Sequence, residues 1–213
     1  PVVIGGVGTN AGAISVFEKN LSTGSSPDAA ALTQTGSFTV SAADGLQTLS
    51  VGGINVIAGG VAAGFPQTVT TPLGNTLTVT GYNPSTGVVT YSYTLVESET
   101  HPAGNGANSL TESFTVVATD TDGSTSSGNL SVVIVDDQPT AVNDTNASVA
   151  TEAATVLTGN VLPNDIQGAD RTATPIVPGT FTGTYGTLVL AADGSYTYTL
   201  NPSDPVSYTH LRA

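Results

Sequence analysis

The side chains of this sequence best suited to chemistry are acidic, and they are clustered. Asp136, Asp137, Asn143 and Asp144 lie around Pro139 in IVDDQPTAVND; Asp120 and Asp122 lie in TDTDGST; Glu18 lies in VFEKN. Glu152 follows Pro139 much as Glu18 follows Pro1, and is its counterpart in the later part of the chain. Oxygen donors of this kind suit calcium, a hard cation that takes six to eight oxygens from carboxylates, amides, backbone carbonyls and water. Adjacent carboxylates repel, so a linker with no ligand role would favour Ser or Thr at 136 and 137. Asn164, Asp165 and Asp170 in LPNDIQGAD form a further acidic loop.

Other chemistry competes for the same residues. DTDG is equally a turn and a ligand loop, whereas the two AADG stretches (42–45 and 191–194) read as turns, because Asp bonds its own backbone and Gly accepts positive φ. DTDGSTSSGNLS lacks the third ligand and the closing Glu of an EF-hand, and the Gly-rich stretches lack the Asp step of a calcium β-roll. Any site is therefore assembled from distant segments. Glu97, Glu99 and His101 in VESETHP would share a strand face and could hold zinc. A proline and the loop AGNGANS follow, so a solvated strand end is the favoured reading. With no Cys, no Trp and no G-x-S-x-G elbow, the chain is expected not to be an enzyme.

Charge narrows the partners. Sixteen Asp and Glu face three Lys and Arg, giving a formal net charge of -13. Internal ion pairs cannot neutralise that excess, so the acids either solubilise the surface or converge on cations. Nucleic acid and anionic membranes both require basic surface and are disfavoured. No apolar run approaches a membrane span. The sequence opens on Pro and contains no Met, so it is expected to be a piece of a longer chain, with targeting signals outside it.

The elements that must position these acids are strands. Apolar and polar residues alternate at 37–42, 48–53, 76–82, 88–95, 113–120 and 130–135, separated by Gly, Asp, Asn and Pro. In VVTYSYTL, Val89, Tyr91, Tyr93 and Leu95 share one face. The order Gly, Leu, strand, turn, Tyr-x-Tyr-Thr-Leu occurs twice, at 73–95 and 185–200. These features predict an all-β chain of two sandwich modules, 1–138 and 139–213, with the second truncated. The tail VSYTHLRA loses the alternation; residues from 205 on are read as translated adapter sequence, with an ordinary strand as the alternative.

Over residues 14–139, the order ISVFEKNL, SFTVSAADGLQTLSV, LGNTLTVTGYNPSTGVVTYSYTL and SLTESFTVVATDTDGSTSSGNLSVVIVDDQP resembles the repeat modules of giant RTX-type bacterial adhesins exported by type I secretion. AVNDTNASVATEAATVLTGNVLPND with GTYGTLVLAADGSYTYTL resembles their VCBS and cadherin-like repeats. The resemblance implies tandem immunoglobulin-like or cadherin-like β-sandwiches with calcium at their interfaces. Carried over by motif, Glu18, Asp120, Asp122, Asp136 and Asp137 match the acidic positions of one side of such a junction, and Asn143, Asp144 and Glu152 the other. The implied role is a monomeric extender of a secreted, cell-surface adhesin, rigidified by calcium, with adjacent repeats as partners, supporting adhesion and biofilm formation. The alternatives are a module gripping surface glycans or proteins through a loop such as 102–108, or a noncatalytic spacer of a secreted hydrolase or toxin. Ile166, Gln167 and Gly168 interrupt the Asp run expected after the Leu-x-Asn-Asp motif, so the resemblance does not extend to a site at Asp165 and Asp170.

Overall fold

The computed structural model describes residues 1–8, 13–102, 108–151 and 154–201 of the chain. It separates into two compact units, Pro1–Gln138 and Pro139–Ala213.

The first unit is a two-sheet sandwich. Its strands are β1 (Val2–Gly5), β2 (Ile14–Phe17), β3 (Thr33–Ala42), β4 (Leu46–Val51), β5 (Ile54–Ala58), β6 (Val61–Ala62), β7 (Gln67–Thr70), β8 (Thr76–Asn83), β9 (Val88–Thr94), β10 (Ser109–Asp120) and β11 (Thr125–Val135). One sheet runs β1-β3-β9-β8-β7 and the other β2-β11-β10-β4-β5-β6. All six alternating runs fall on strands, because strict alternation leaves each strand one apolar face to bury. The run expected at 48–53 stops at Val51, where Gly52 and Gly53 at φ 53° and 87° turn the chain into β5. INVIA of β5 escapes the alternation test because Val56 and Ile57 are both buried.

The inward faces interdigitate to form the core. Phe38, Leu77, Val89, Tyr91, Tyr93 and Leu95 from one sheet side meet Leu49, Val51, Phe114, Val116, Leu130 and Ile134 from the other, each at most 5% exposed. Tyr93 and Phe114 approach across the layers with ring centroids 6.1 Å apart, a tilted contact that adds to simple area burial. Gly36 is paired with Tyr91 on the neighbouring strand, and a Cβ there would lie 2.4 Å from the phenol ring. The ring lies over the bare glycine backbone.

The second unit contains β12 (Val156–Asn160), β13 (Gly179–Thr182), β14 (Gly186–Leu190) and β15 (Ser195–Leu200), an antiparallel sheet ordered β12-β15-β14-β13. Leu157, Tyr198, Leu188 and Phe181 form one cross-strand row. The repeated Tyr-x-Tyr-Thr-Leu is thus the second strand of a hairpin in both units, β9 after β8 and β15 after β14. Among the described residues this unit presents a single sheet, and Ala169 is its one hydrophobic residue in the buried class. No helix among the described residues is long and apolar enough to cross a membrane.

Candidate cation site

Strand pairing creates the site. β2 and β11 pair in parallel, with Val16 opposite Ile134 and Phe17 opposite Val135. In parallel strands the next residues emerge side by side, so Glu18 and Asp136 leave the same end of the sheet together. Glu18 begins a 3-10 turn (Glu18–Asn20) and is fully buried. The segment after β9 returns to this end and delivers two more groups: the Glu99 N–H donates to Glu18 Oε1 at 2.7 Å, and His101 Nε2 shares a hydrogen bond with the same oxygen at 2.9 Å. Glu18, His101 and Asp136 can each offer a ligand atom, all within 4.8 Å of one another.

A polar network supports this cluster. Asn75 Nδ2 donates to Glu99 Oε1 at 2.6 Å, and its own Oδ1 accepts the Val96 N–H. Glu112 Oε2 accepts the Tyr93 hydroxyl at 2.6 Å and Oε1 the Leu73 N–H at 3.2 Å. Burial pushes the Glu99 carboxyl above the usual range, the charges of Glu112, Glu18 and Glu97 add to the rise, and the Asn75 hydrogen bond partly offsets it. Tyr93 is raised by burial, then by its hydrogen bond and charge contact with Glu112. Among the described residues, the hydrogen bonds of Glu99 and Glu112 come from Asn75, Tyr93 and Leu73, none of them a cation.

The sequence placed Glu97, Glu99 and His101 on a solvated strand end; solvation holds for Glu97 but not for Glu99 and His101, and none of the three lies on the strand. The strand ends at Thr94, Glu97 is exposed, Glu99 is 9% exposed, and the His101 side chain is 5% exposed. His101 turns inward because Glu18 awaits it. Its membership of the cluster had no local signature.

Asp137 is also buried, but its carboxylate is committed to the fold. Oδ2 accepts the Ser25 N–H at 2.7 Å and Oδ1 the Ser25 hydroxyl at 2.6 Å, clamping the loop after the 3-10 turn. Asp120 and Asp122, expected beside Asp136, are at the opposite end of the first unit. β10 and β11 are antiparallel, with Ser109 opposite Val135 and Thr119 opposite Thr125, so the two ends of this hairpin are about 33 Å apart at the usual strand rise. Asp120 Oδ1 accepts the N–H groups of Asp122 and Ser124 at 3.1 and 2.8 Å. Burial raises its pKa, the Ser124 and Asp122 N–H groups lower it, and the net shift is downward. Asp122 is exposed. The DTDG stretch therefore serves as a turn built on Asp120.

In the second unit Asn143 and Asp144 are exposed. The LPND loop is pinned beside them: Asn164 Nδ2 donates to the Asn143 carbonyl at 3.1 Å, and Asp165 Oδ1 accepts the Val142 N–H at 2.7 Å. Glu152, the 205–213 tail with His210, and most of the loop at 102–108 lie outside the described residues. Both AADG stretches are turns, closed by Gly45 N–H to Ala42 O and Gly194 N–H to Ala191 O.

These shifts set a pH dependence. Glu99 titrates above its unfolded value, so its ionised form costs stability at neutral pH, and that cost is relieved as the pH falls through the folded pKa towards the unfolded one. Asp120 and Asp193 titrate below theirs, so their contribution is present above the unfolded pKa and is lost as the pH falls through the folded one. In chelator, the melting temperature is expected to rise on mild acidification and then fall. Thermal scans from pH 7 to 2 check this, and Glu99→Gln should remove the rise.

The profile of a family described as bacterial Ig domain matches residues 136–210. No match is found among curated proteins. The matched segment is similar to a bacterial Ig-like domain, a class of surface and structural modules, and includes the whole sheet of the second unit.

Proposed function

We propose that the chain is an extender segment of a secreted bacterial cell-surface adhesin, its β-sandwich units stiffened by calcium at their junctions. The observation that carries this reading is charge burial: Glu18, Glu99, Glu112, Asp120 and Asp137 are all buried in the first unit, while the whole sequence has only three Lys and Arg. Burying carboxylates costs stability unless they are paired, hydrogen-bonded or bound to metal. Each of these carboxylates accepts hydrogen bonds, and the Glu18 end, where Glu18, Glu97, Glu99 and Glu112 act on one another, is the place where a cation would offset the most repulsion. The resemblance to adhesin repeats and the bacterial Ig match at 136–210 support a surface role. Asp136, Asn143 and Asp144 flank Pro139 and offer oxygen donors near the boundary at 138/139 in sequence. Without cation the charges repel and the linker bends; with it the linker is held.

Small-angle scattering of the full chain tests the stiffening. Calcium is expected to increase the maximum dimension and narrow the distance distribution relative to chelator, and an Asp136→Asn, Asp144→Asn double variant should not respond. Identical curves in calcium and chelator would return the acids to the role of solubilising charge.

A further inference from the structure

Resting on the reading of the Glu18 end as a cation site, we propose that this site prefers a first-row divalent ion of the zinc class to calcium, with His101 as the selecting ligand. The donor set is mixed: a buried carboxylate, a half-buried carboxylate and an imidazole, drawn from three separate segments and already within 4.8 Å of one another. Calcium coordinates oxygen, whereas imidazole suits zinc, cobalt, nickel and copper. One His and two carboxylates make three protein ligands, leaving a fourth tetrahedral position open. Ligand atoms around a tetrahedral zinc are about 3.4 Å apart, so an ion would part the 2.9 Å contact of His101 with Glu18 and draw in Asp136.

A second observation is the state of the imidazole. The His101 side chain is 5% exposed, and its Nε2 meets Glu18 Oε1 at 2.9 Å, while Nδ1 is buried with no hydrogen-bond partner among the described residues. Buried ring nitrogens are ordinarily satisfied, because each is a donor or an acceptor taken out of water. The protein's own hydrogen bonding uses one nitrogen of this ring and leaves the other over. Nε2 is the nitrogen that faces Glu18, so an ion shared with Glu18 would take Nε2 in place of their direct contact, with the ring proton on Nδ1. Glu18 is held in place by the Glu99 N–H, and the Asp136 backbone by a hydrogen bond from its N–H to the Asn108 carbonyl.

The test uses the full chain, stripped of metal. Zinc affinity is measured by competition with a chromophoric chelator, and cobalt is added as a spectroscopic probe of the ligand set. The parent chain is expected to bind one zinc and to give visible cobalt bands. His101→Gln and Asp136→Asn should each weaken zinc by about tenfold or more, and His101→Gln should also alter the cobalt spectrum. Asp136 is half-buried, so its variant is expected to fold even if the His101 variant does not, and far-UV circular dichroism checks both. His210→Gln should change nothing. Absence of zinc binding by the parent chain, or parental zinc affinity in a folded His101→Gln or Asp136→Asn variant, would overturn the proposal. Failure of the calcium reading has a separate signature: no calcium-dependent rise in the parent's melting temperature, whatever zinc does. If both readings hold, His101→Gln keeps its calcium response while losing zinc.

Discussion

Glu18→Gln is expected to melt above the parent chain in chelator and below it in saturating calcium. The amide keeps an oxygen that can accept the Glu99 N–H at the position of Oε1, so the local hydrogen bond survives. What changes is charge. Glu18 is fully buried, and its charge, with those of Glu112 and Glu97, bears on Glu99. At the effective dielectric of a protein site, like charges about 5 Å apart repel by roughly 3 kcal/mol, and relaxation and residual solvent reduce this. Removing one charge should therefore gain about 1–2 kcal/mol without cation. In calcium the sign reverses, because the parent gains about 2.7 kcal/mol at a hundredfold excess over Kd and the variant lacks a charged ligand. Each kcal/mol moves the melting temperature of a unit this size by about 3 °C, so the crossing is resolvable in paired thermal scans. A variant destabilised equally in both conditions would mean that Glu18 serves only as a hydrogen-bond acceptor.

The largest loss of stability is expected at Gly87, in the turn between β8 and β9. Its φ is +69°, and a Cβ would lie 2.1 Å from the carbonyl oxygen of Val40. That oxygen belongs to the backbone, so no rotamer change can relieve the contact. Gly87 is also tied at both ends, donating to the Asn83 carbonyl at 2.8 Å and accepting the Val40 N–H at 2.9 Å. Gly87→Ala must break one of these bonds or move β3, and should cost about 3 kcal/mol or more. Gly123, at φ +85° with nothing within 4 Å of its would-be Cβ, is the control. Its alanine variant carries the conformational penalty alone, about 1–2 kcal/mol. Urea denaturation of the two variants separates steric collision from backbone strain, and equal losses would remove the collision from the account.

The strands were legible wherever one face alone is dry. Val89, Tyr91 and Tyr93 alternate with Thr90, Ser92 and Thr94, and burial follows that alternation residue by residue. β1, β2 and β7 are four residues each, too short for periodicity to stand out, and they went unread. The cation cluster was half legible. Glu18 and Asp136 were both candidates, but their adjacency comes from the parallel β2–β11 pairing, a contact between residues 118 apart in sequence with no local mark. The misplacement of Asp120 and Asp122 has a plainer cause. Two alternating runs joined by DTDG imply a hairpin, and the turn of a hairpin lies a full strand length from its open end, so this loop could never have faced Asp136. His101 was read as solvated from its neighbours Pro102 and the Gly-Asn loop. Local composition said nothing of the buried carboxylate across the sheet.

The central claim is that carboxylates gathered at the end of the first unit hold a divalent ion. Calorimetric titration of calcium into the chelator-stripped full chain tests it most directly. A saturable heat is expected in the parent chain, and its loss in a Glu18→Gln, Asp136→Asn double variant that retains the parent's circular dichroism spectrum. Heats no larger than dilution in the parent, or a saturable heat that survives the double substitution, would contradict it.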